Sequence, residues 1–196
     1  MSRPVVNPGT LTWSGEHWIN YLRRQGDSAD SGMLSLYHTR YSPAGEGTVA
    51  FVSVPAAGLD LVCSDDEEVA EFIMAQMIRG KAGPWDRPMP RHAATFRRSG
   101  DIRREPGWVV ETAGHVVAAT WVVEEPPVIA EGPAGTFNAD YDFFTLLFFT
   151  FDARLEVDGE PVQGRPYVRD IWRRSIGGDR SSCVFALAET MTRVAG

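Results

Sequence analysis

The longest apolar run of the chain, Phe143 to Phe151, reads Phe-Phe-Thr-Leu-Leu-Phe-Phe-Thr-Phe and is apolar at both parities. Its length is about half of what a membrane-spanning helix requires, and its aromatic content favours extended backbone. A strand whose two faces are both apolar has to be covered on both sides. The run therefore calls for a layered structure, and a central strand roofed by a helix is the simplest solution.

The rest of the sequence supplies strands in quantity. Met33 to Tyr41 and Thr48 to Val54 flank Ser42-Pro43-Ala44-Gly45-Glu46-Gly47, which reads as the turn of an antiparallel pair, and Leu59 to Cys63 is a third short strand. Further on come Ala93 to Arg98, Trp108 to Thr112, Val116 to Glu124, Phe143 to Val157 and Val168 to Ile176. Ala113-Gly114 and Asp158-Gly159 are hairpin turns. The last segment, Ser182 to Val194, fits helical spacing through Val184, Leu187, Met191 and Val194. It also fits one strand face through Cys183, Phe185, Leu187 and Met191, broken by Glu189, and a closing strand is favoured.

Two helices are predicted. Asp65 to Arg79 begins with Asp65, Asp66, Glu67 and Glu68, with Ser64 three residues before Glu67 as cap, carries Val69, Phe72, Ile73 and Met77 on one stripe, and stops at Gly80. Gly15 to Arg24 is a shorter one, with Ser14 as cap and Trp18, Tyr21 and Leu22 on one side. Strands joined mostly by short turns exclude a doubly wound sheet. The expectation is a mainly β (α+β) fold: a single domain over residues 1–196, with an antiparallel β-barrel or strongly curved antiparallel sheet of about eight or nine strands and one or two packed helices. The early tryptophan in Gly9-Thr10-Leu11-Thr12-Trp13 accompanies an architecture that resembles lipocalin-like barrels at the level of fold. A helix inserted after three strands departs from their usual order, so no functional residue carries across.

Composition excludes several chemistries. Of 19 basic residues against 26 acidic ones, only Lys81 is a lysine, and it sits in the loop-like Gly80-Lys81-Ala82-Gly83-Pro84, a poor place for a Schiff base. Cys63 and Cys183 fit no paired motif and read as small, reduced and buried. The segment Met1 to Gly9 has the character of neither a signal peptide nor an anchor, which makes a cytoplasmic location, with no membrane attachment, the default expectation. Nucleotide-loop, nucleophile-elbow and zinc-protease signatures are absent. His17, His38, His92 and His115 show no ligand spacing, and no metal or cofactor is expected. Residues 87–104 carry Arg87, Arg91, Arg97, Arg98, Arg103 and Arg104 against Asp101, the one feature resembling a nucleic-acid surface. An acidic chain with only Phe96 interleaved weighs against it, and pairing of these arginines with the acidic helix start or with a second subunit is the simpler reading.

Parity locates the candidate site residues. Val117, Ala119, Trp121 and Val123 form a uniformly apolar face, and His115 shares their parity at the rim. Read as a strand, Val168 to Ile176 places Asp170, Trp172 and Arg174 on one face, where Arg174 would suit a carboxylate or phosphate. His38 alternates with Leu34, Leu36 and Arg40. Asn138, Asp140, Tyr141 and Asp142 form an acidic, aromatic approach to the central strand. The functional expectation is a small-molecule binding protein whose barrel or cleft holds an apolar or aromatic ligand with an anionic end, using Arg174, Trp121, Trp172 and His38. The alternative is a hydratase, isomerase or cyclase with His115 or Asp170 as general base in the same cavity. A structural or partner-binding module, with the basic stretch as its contact surface, is the third reading. The residues leave open whether the chain is an enzyme and whether it self-associates.

Overall fold

The computed structural model describes residues 10–136 and 140–193, so Asn138 and Val194 lie outside the described residues. In chain order the strands are β1 (Thr10–Leu22), β2 (Gly32–Tyr41), β3 (Gly47–Val54), β4 (Leu59–Ser64), β5 (Arg91–Ala93), β6 (Thr95–Asp101) and β7 (Glu105–Glu111). They continue as β8 (Val116–Trp121), β9 (Val128–Gly132), β10 (Asp142–Thr150), β11 (Ala153–Val157), β12 (Glu160–Pro161) and β13 (Cys183–Arg193). The α-helices are α1 (Glu67–Ile73), continued by a wider turn over Met74–Ile78, and α2 (Asp170–Ser175).

The fold is mainly β, as expected; among the described residues these strands form two sheets and no closed barrel, which corrects the barrel form of the expectation. The large sheet runs β5-β4-β3-β2-β1-β13-β10-β9 and the small one β12-β11-β8-β7-β6. All pairings are antiparallel except β4 with β5. The sheets pack face to face, as two half-apolar surfaces must. Between them Trp18 stacks on Phe185 at 4.5 Å, Phe185 stacks on Phe148 at 4.8 Å, and Trp121 meets Trp18 edge-on at 5.1 Å. Val117 and Ala119 join Trp121 in this core and Val123 packs against it, as parity predicts. Cys63 and Cys183 are free and buried.

The other face of the large sheet is covered by helices, giving three layers. Val69 and Ile73 of α1 are buried there, and Phe72 and Met77 pack against the same cluster. The cap of α1 is Asp66, whose carboxylate accepts from the amides of Glu68 and Val69 at 2.9 Å each. Ser64 instead ends β4 and accepts from the Asp66 amide at 3.0 Å, so the helix starts two residues later than its acidic run suggests.

Two segments exchange type. Gly15 to Arg24 is not a helix: it falls almost wholly in β1. Both faces of β1 are covered, so Trp18 and Leu22 fill the space between the sheets while Ile19 and Tyr21 face the helices. Burial on both sides erased the alternation and left an apolar set with helix-like spacing. Gly15 belongs to a close backbone crossing, where a β-carbon would lie 2.3 Å from the carbonyl oxygen of His38. Conversely, Val168 to Ile176 is not a strand. Within it lies α2, whose Ile171, Trp172, Ser175 and Ile176 share one face at helical spacing, with Gly177 and Gly178 ending it at positive φ. The Phe143 to Val157 run is likewise divided. The chain crosses from the large sheet to the small one at Phe151-Asp152, where the Glu124 carboxylate accepts from the Thr150 hydroxyl at 2.8 Å and the Phe151 amide at 2.7 Å. Asp158 and Gly159 both take positive φ in the predicted hairpin turn.

Candidate functional site

A bulge in β13 creates the site. Along β1, Gly15 pairs with Glu189 and His17 with Ala186; along β10, Thr145 pairs with Glu189 and Leu147 with Ala186. Between these pairs one residue on each neighbour, Glu16 or Leu146, therefore faces two on β13, Leu187 and Ala188. One extra residue reverses the parity of everything beyond it. Val184 and Ala186 face the helical layer, and the bulge brings Glu189 and Met191 onto that same face.

The result is a cavity of about 510 Å³ between this face and the helical layer. Its floor comes from β1, β2, β13, β10 and β9, through His17, Tyr37, Glu189, Thr145 and Ala130 among others. Its roof is the inner face of α2 with Met77 and Lys81. The walls are mainly apolar, from Ile19, Leu147, Val184, Met191 and Ile176. The volume lies in the range of small-molecule sites. A larger depression of about 700 Å³, lined by Arg23, Arg24, Gln25, Gln163 and Arg165, is an open surface trough in which Arg23 is committed to Asp30 at 2.9 Å. It lacks the enclosing apolar wall that favours uptake of a molecule from water.

Three polar side chains meet at the cavity floor. His17 stacks on Tyr37 at 4.0 Å, and its Nε2 lies 3.0 Å from the Ser35 hydroxyl oxygen. Its Nδ1 lies 3.8 Å from Oε1 of Glu189, beyond hydrogen-bond reach. Glu189 is 5% exposed, and its other oxygen accepts a long bond from the Thr145 hydroxyl at 3.5 Å. Removal from water pushes the Glu189 carboxyl up to about 8, against the small opposing effect of Thr145. The same loss of water, with the Arg169 charge adding to it, lowers His17 to about 3. Both groups are thus neutral at pH 7, and their contact is not an ion pair. Among the described lining residues the one cationic side chain is Lys81, 3.6 Å from Asp140.

A contrasting carboxylate sits on the opposite face of β1. Glu16 is buried, yet it accepts from the Trp18 indole at 3.1 Å, from Arg40 at 3.3 Å and from Arg98. The Arg98 guanidinium lies over the Trp108 ring at 4.5 Å. This charge is compensated, whereas Glu189 has no cationic partner among the described residues.

The residues singled out from sequence are dispersed. His115 is half-buried in the β7–β8 turn, where its Nδ1 lies 2.8 Å from an Asp158 oxygen and ties two hairpins together. Asp170 is exposed at the start of α2 and accepts from Arg173 at 3.2 Å. Arg174 is exposed and does not line the cavity. Trp121 is fully buried between the sheets and donates to the Ile19 carbonyl at 2.9 Å. His38 faces the Glu16 cluster, 3.0 Å from the Thr48 hydroxyl oxygen. Trp172 alone of these lines the cavity, with its indole nitrogen sealed from solvent and without a hydrogen-bond partner among the described residues. The arginine-rich stretch is partly spent on ion pairs: Arg87 with Asp60, Arg91 with Glu67 and Glu71, and Arg98 with Glu16. Among the described residues no group of three or more His, Cys, Asp or Glu is placed to hold a metal ion, and no helix is long and apolar enough to cross a membrane.

His17 and Glu189 are the residues that sequence reasoning missed. The signal for His17 was its shared parity with Ile19 and Tyr21, hidden by the helical reading of that segment. The signal for Glu189 was the break it makes in an otherwise apolar strand face. No family model matches the chain, and no curated protein matches it either. What fold and site define is an architecture: a two-sheet β-sandwich with a helical cover over a cavity that contains a buried carboxyl group.

Proposed function

We propose that this chain is a small-molecule binding protein whose ligand, mainly apolar, occupies the cavity between the large sheet and α2. The observation that carries this reading is the convergence of His17, Glu189 and Thr145 in an otherwise apolar chamber of about 510 Å³. Apolar walls supply affinity by removing ligand surface from water, and a few fixed polar groups orient it. Support for an anionic ligand end is lost with Arg174, which does not line the chamber. The test is native mass spectrometry of freshly purified protein beside an Ala186→Trp variant designed to fill the chamber. A small mass retained by the wild type and lost from the variant is expected; identical bare spectra, together with no binding of added apolar probes, would overturn the reading.

A second reading, a proton-transfer enzyme of the hydratase, isomerase or cyclase type, draws on the Glu189 carboxyl held at about 8. A general acid or base works best when its pKa lies near the working pH. On this reading Glu189 takes the role that sequence parity suggested for His115 or Asp170. Turnover of any substrate that persists undiminished in Glu189→Gln would remove it.

A further inference from the structure

We propose that the chamber selects an uncharged, mainly apolar alcohol or phenol, whose hydroxyl bridges His17 Nδ1 and Glu189 Oε1. The proposal rests on the reading of the chamber as a binding site and adds the chemistry of its ligand. His17 and Glu189 both line the chamber, and these two atoms stand 3.8 Å apart with no hydrogen-bond partner among the described residues. Neither atom is among the sealed and unpartnered ones of those residues, which are the indole nitrogens of Trp108 and Trp172, so the pair is open to the polar group of a molecule in the chamber.

The kind of group follows from what each atom can offer. A carboxyl that is mostly protonated at pH 7 both donates and accepts. The imidazole is neutral, so Nδ1 either donates or accepts, according to which nitrogen carries the proton. A hydroxyl both donates and accepts, and it therefore satisfies the pair in either imidazole tautomer. A carbonyl oxygen only accepts, and would leave Nδ1 unpaired whenever the proton is on Nε2. A carboxylate would have to be desolvated beside a carboxyl group, with Lys81 as the one lining cation and Asp140 already near it. An ammonium would ionise Glu189, but it would enter a chamber that already feels the Arg169 charge and has Lys81 in its wall.

The experiment compares four probes of one shape on the purified full chain: naphthalene, 2-naphthol, 2-naphthoate and 2-naphthylmethylammonium. Equilibrium affinities at pH 7 are expected to favour 2-naphthol over naphthalene by about tenfold, the worth of one to two net hydrogen bonds. That preference should vanish in His17→Phe and in Glu189→Leu, with naphthalene binding retained as the check that the chamber survives. Glu189→Gln, which still donates and accepts, should keep part of it. Equal binding of naphthalene and 2-naphthol by the wild type, or tighter binding of either charged probe, would overturn the hydroxyl assignment and leave the chamber reading intact. Binding of none of the four would overturn both. The wild-type comparison decides even where a variant fails to fold.

Discussion

His17 and Glu189 face each other at 3.8 Å on adjacent strands, with Glu189 buried, His17 half-buried and both neutral at pH 7. Their neutrality sets how the fold responds to pH. The unfolded chain ionises Glu189 near 4.5 and the folded one near 8, so between pH 6.5 and 8 the native state holds the extra proton and stability falls as pH rises. His17 charges near 6.5 when unfolded but only near 3 when folded, so below 4.5 the unfolded state holds the extra proton and stability falls on acidification. From 4.5 to 6.5 the two effects cancel. The Tyr37 phenol stacked on His17 is pushed far up by burial and does not titrate in this range. Each limb has a slope of about 1.4 kcal/mol per pH unit at most. Urea denaturation of wild type and Glu189→Gln at pH 6 and pH 8 checks the alkaline limb. The variant should lose the decline that the wild type shows, and equal declines would refute the assignment.

The start of α1 yields a second test. Asp66 accepts two amides of the first turn, whereas Ser64 accepts only the Asp66 amide. Asp66→Ala should therefore destabilise the fold by about 1 kcal/mol and Ser64→Ala by less. A thermal melt in which Ser64→Ala is the more damaging change would restore Ser64 as the cap.

Glu16 differs from Glu189 in being paired, and the difference is measurable. Arg98→Ala removes a charge-assisted bond to Glu16 and the stacking of the guanidinium on Trp108. Because Arg98 is partly exposed and Arg40 remains, the expected loss is about 1 kcal/mol. Glu16→Gln in the Arg98→Ala background should then cost less than it does alone, since the two changes act on one interaction. Strict additivity in a double-mutant cycle would show that the pair is not coupled.

What could be read from the sequence depended on whether an element is covered on one face or two. Strands β2, β3 and β4, the Asp158-Gly159 turn and the apolar face of β8 were legible because turn residues and alternation are local signals. The type of β1 was hidden by its two covered faces. The type of α2 was hidden because nine residues from Val168 fit both periods, and only the placement of Ile171, Trp172, Ser175 and Ile176 along one side of the cavity decides for the helix. The candidate site was obscured by the bulge between Ala186 and Glu189, since a single inserted residue inverts parity and leaves no compositional trace. Two sheets in place of one barrel follow from the crossing at Phe151-Asp152, where an apolar run passes from one sheet to the other with only Asp152 to mark the break.

The two tryptophans singled out from sequence separate packing from binding. Trp121 is fully buried among Trp18, Phe185 and Ala119 and bonded to the Ile19 carbonyl, with no access to the chamber. Trp172 sits on α2, meets Phe149 edge-on at 5.4 Å and forms part of the chamber roof. Trp121→Phe should thus lose roughly 1–3 kcal/mol of stability through the vacated volume and the unpaired Ile19 carbonyl, and leave 2-naphthol affinity unchanged. Trp172→Ala should do the reverse, with a modest effect on stability, since its side chain is only partly buried, and a severalfold weaker affinity as the roof opens to water. Urea midpoints and probe titrations on the same two proteins decide the matter. If Trp121→Phe weakened probe binding more than Trp172→Ala did, the ligand would have to reach the space between the sheets, and the chamber under α2 would not be the site.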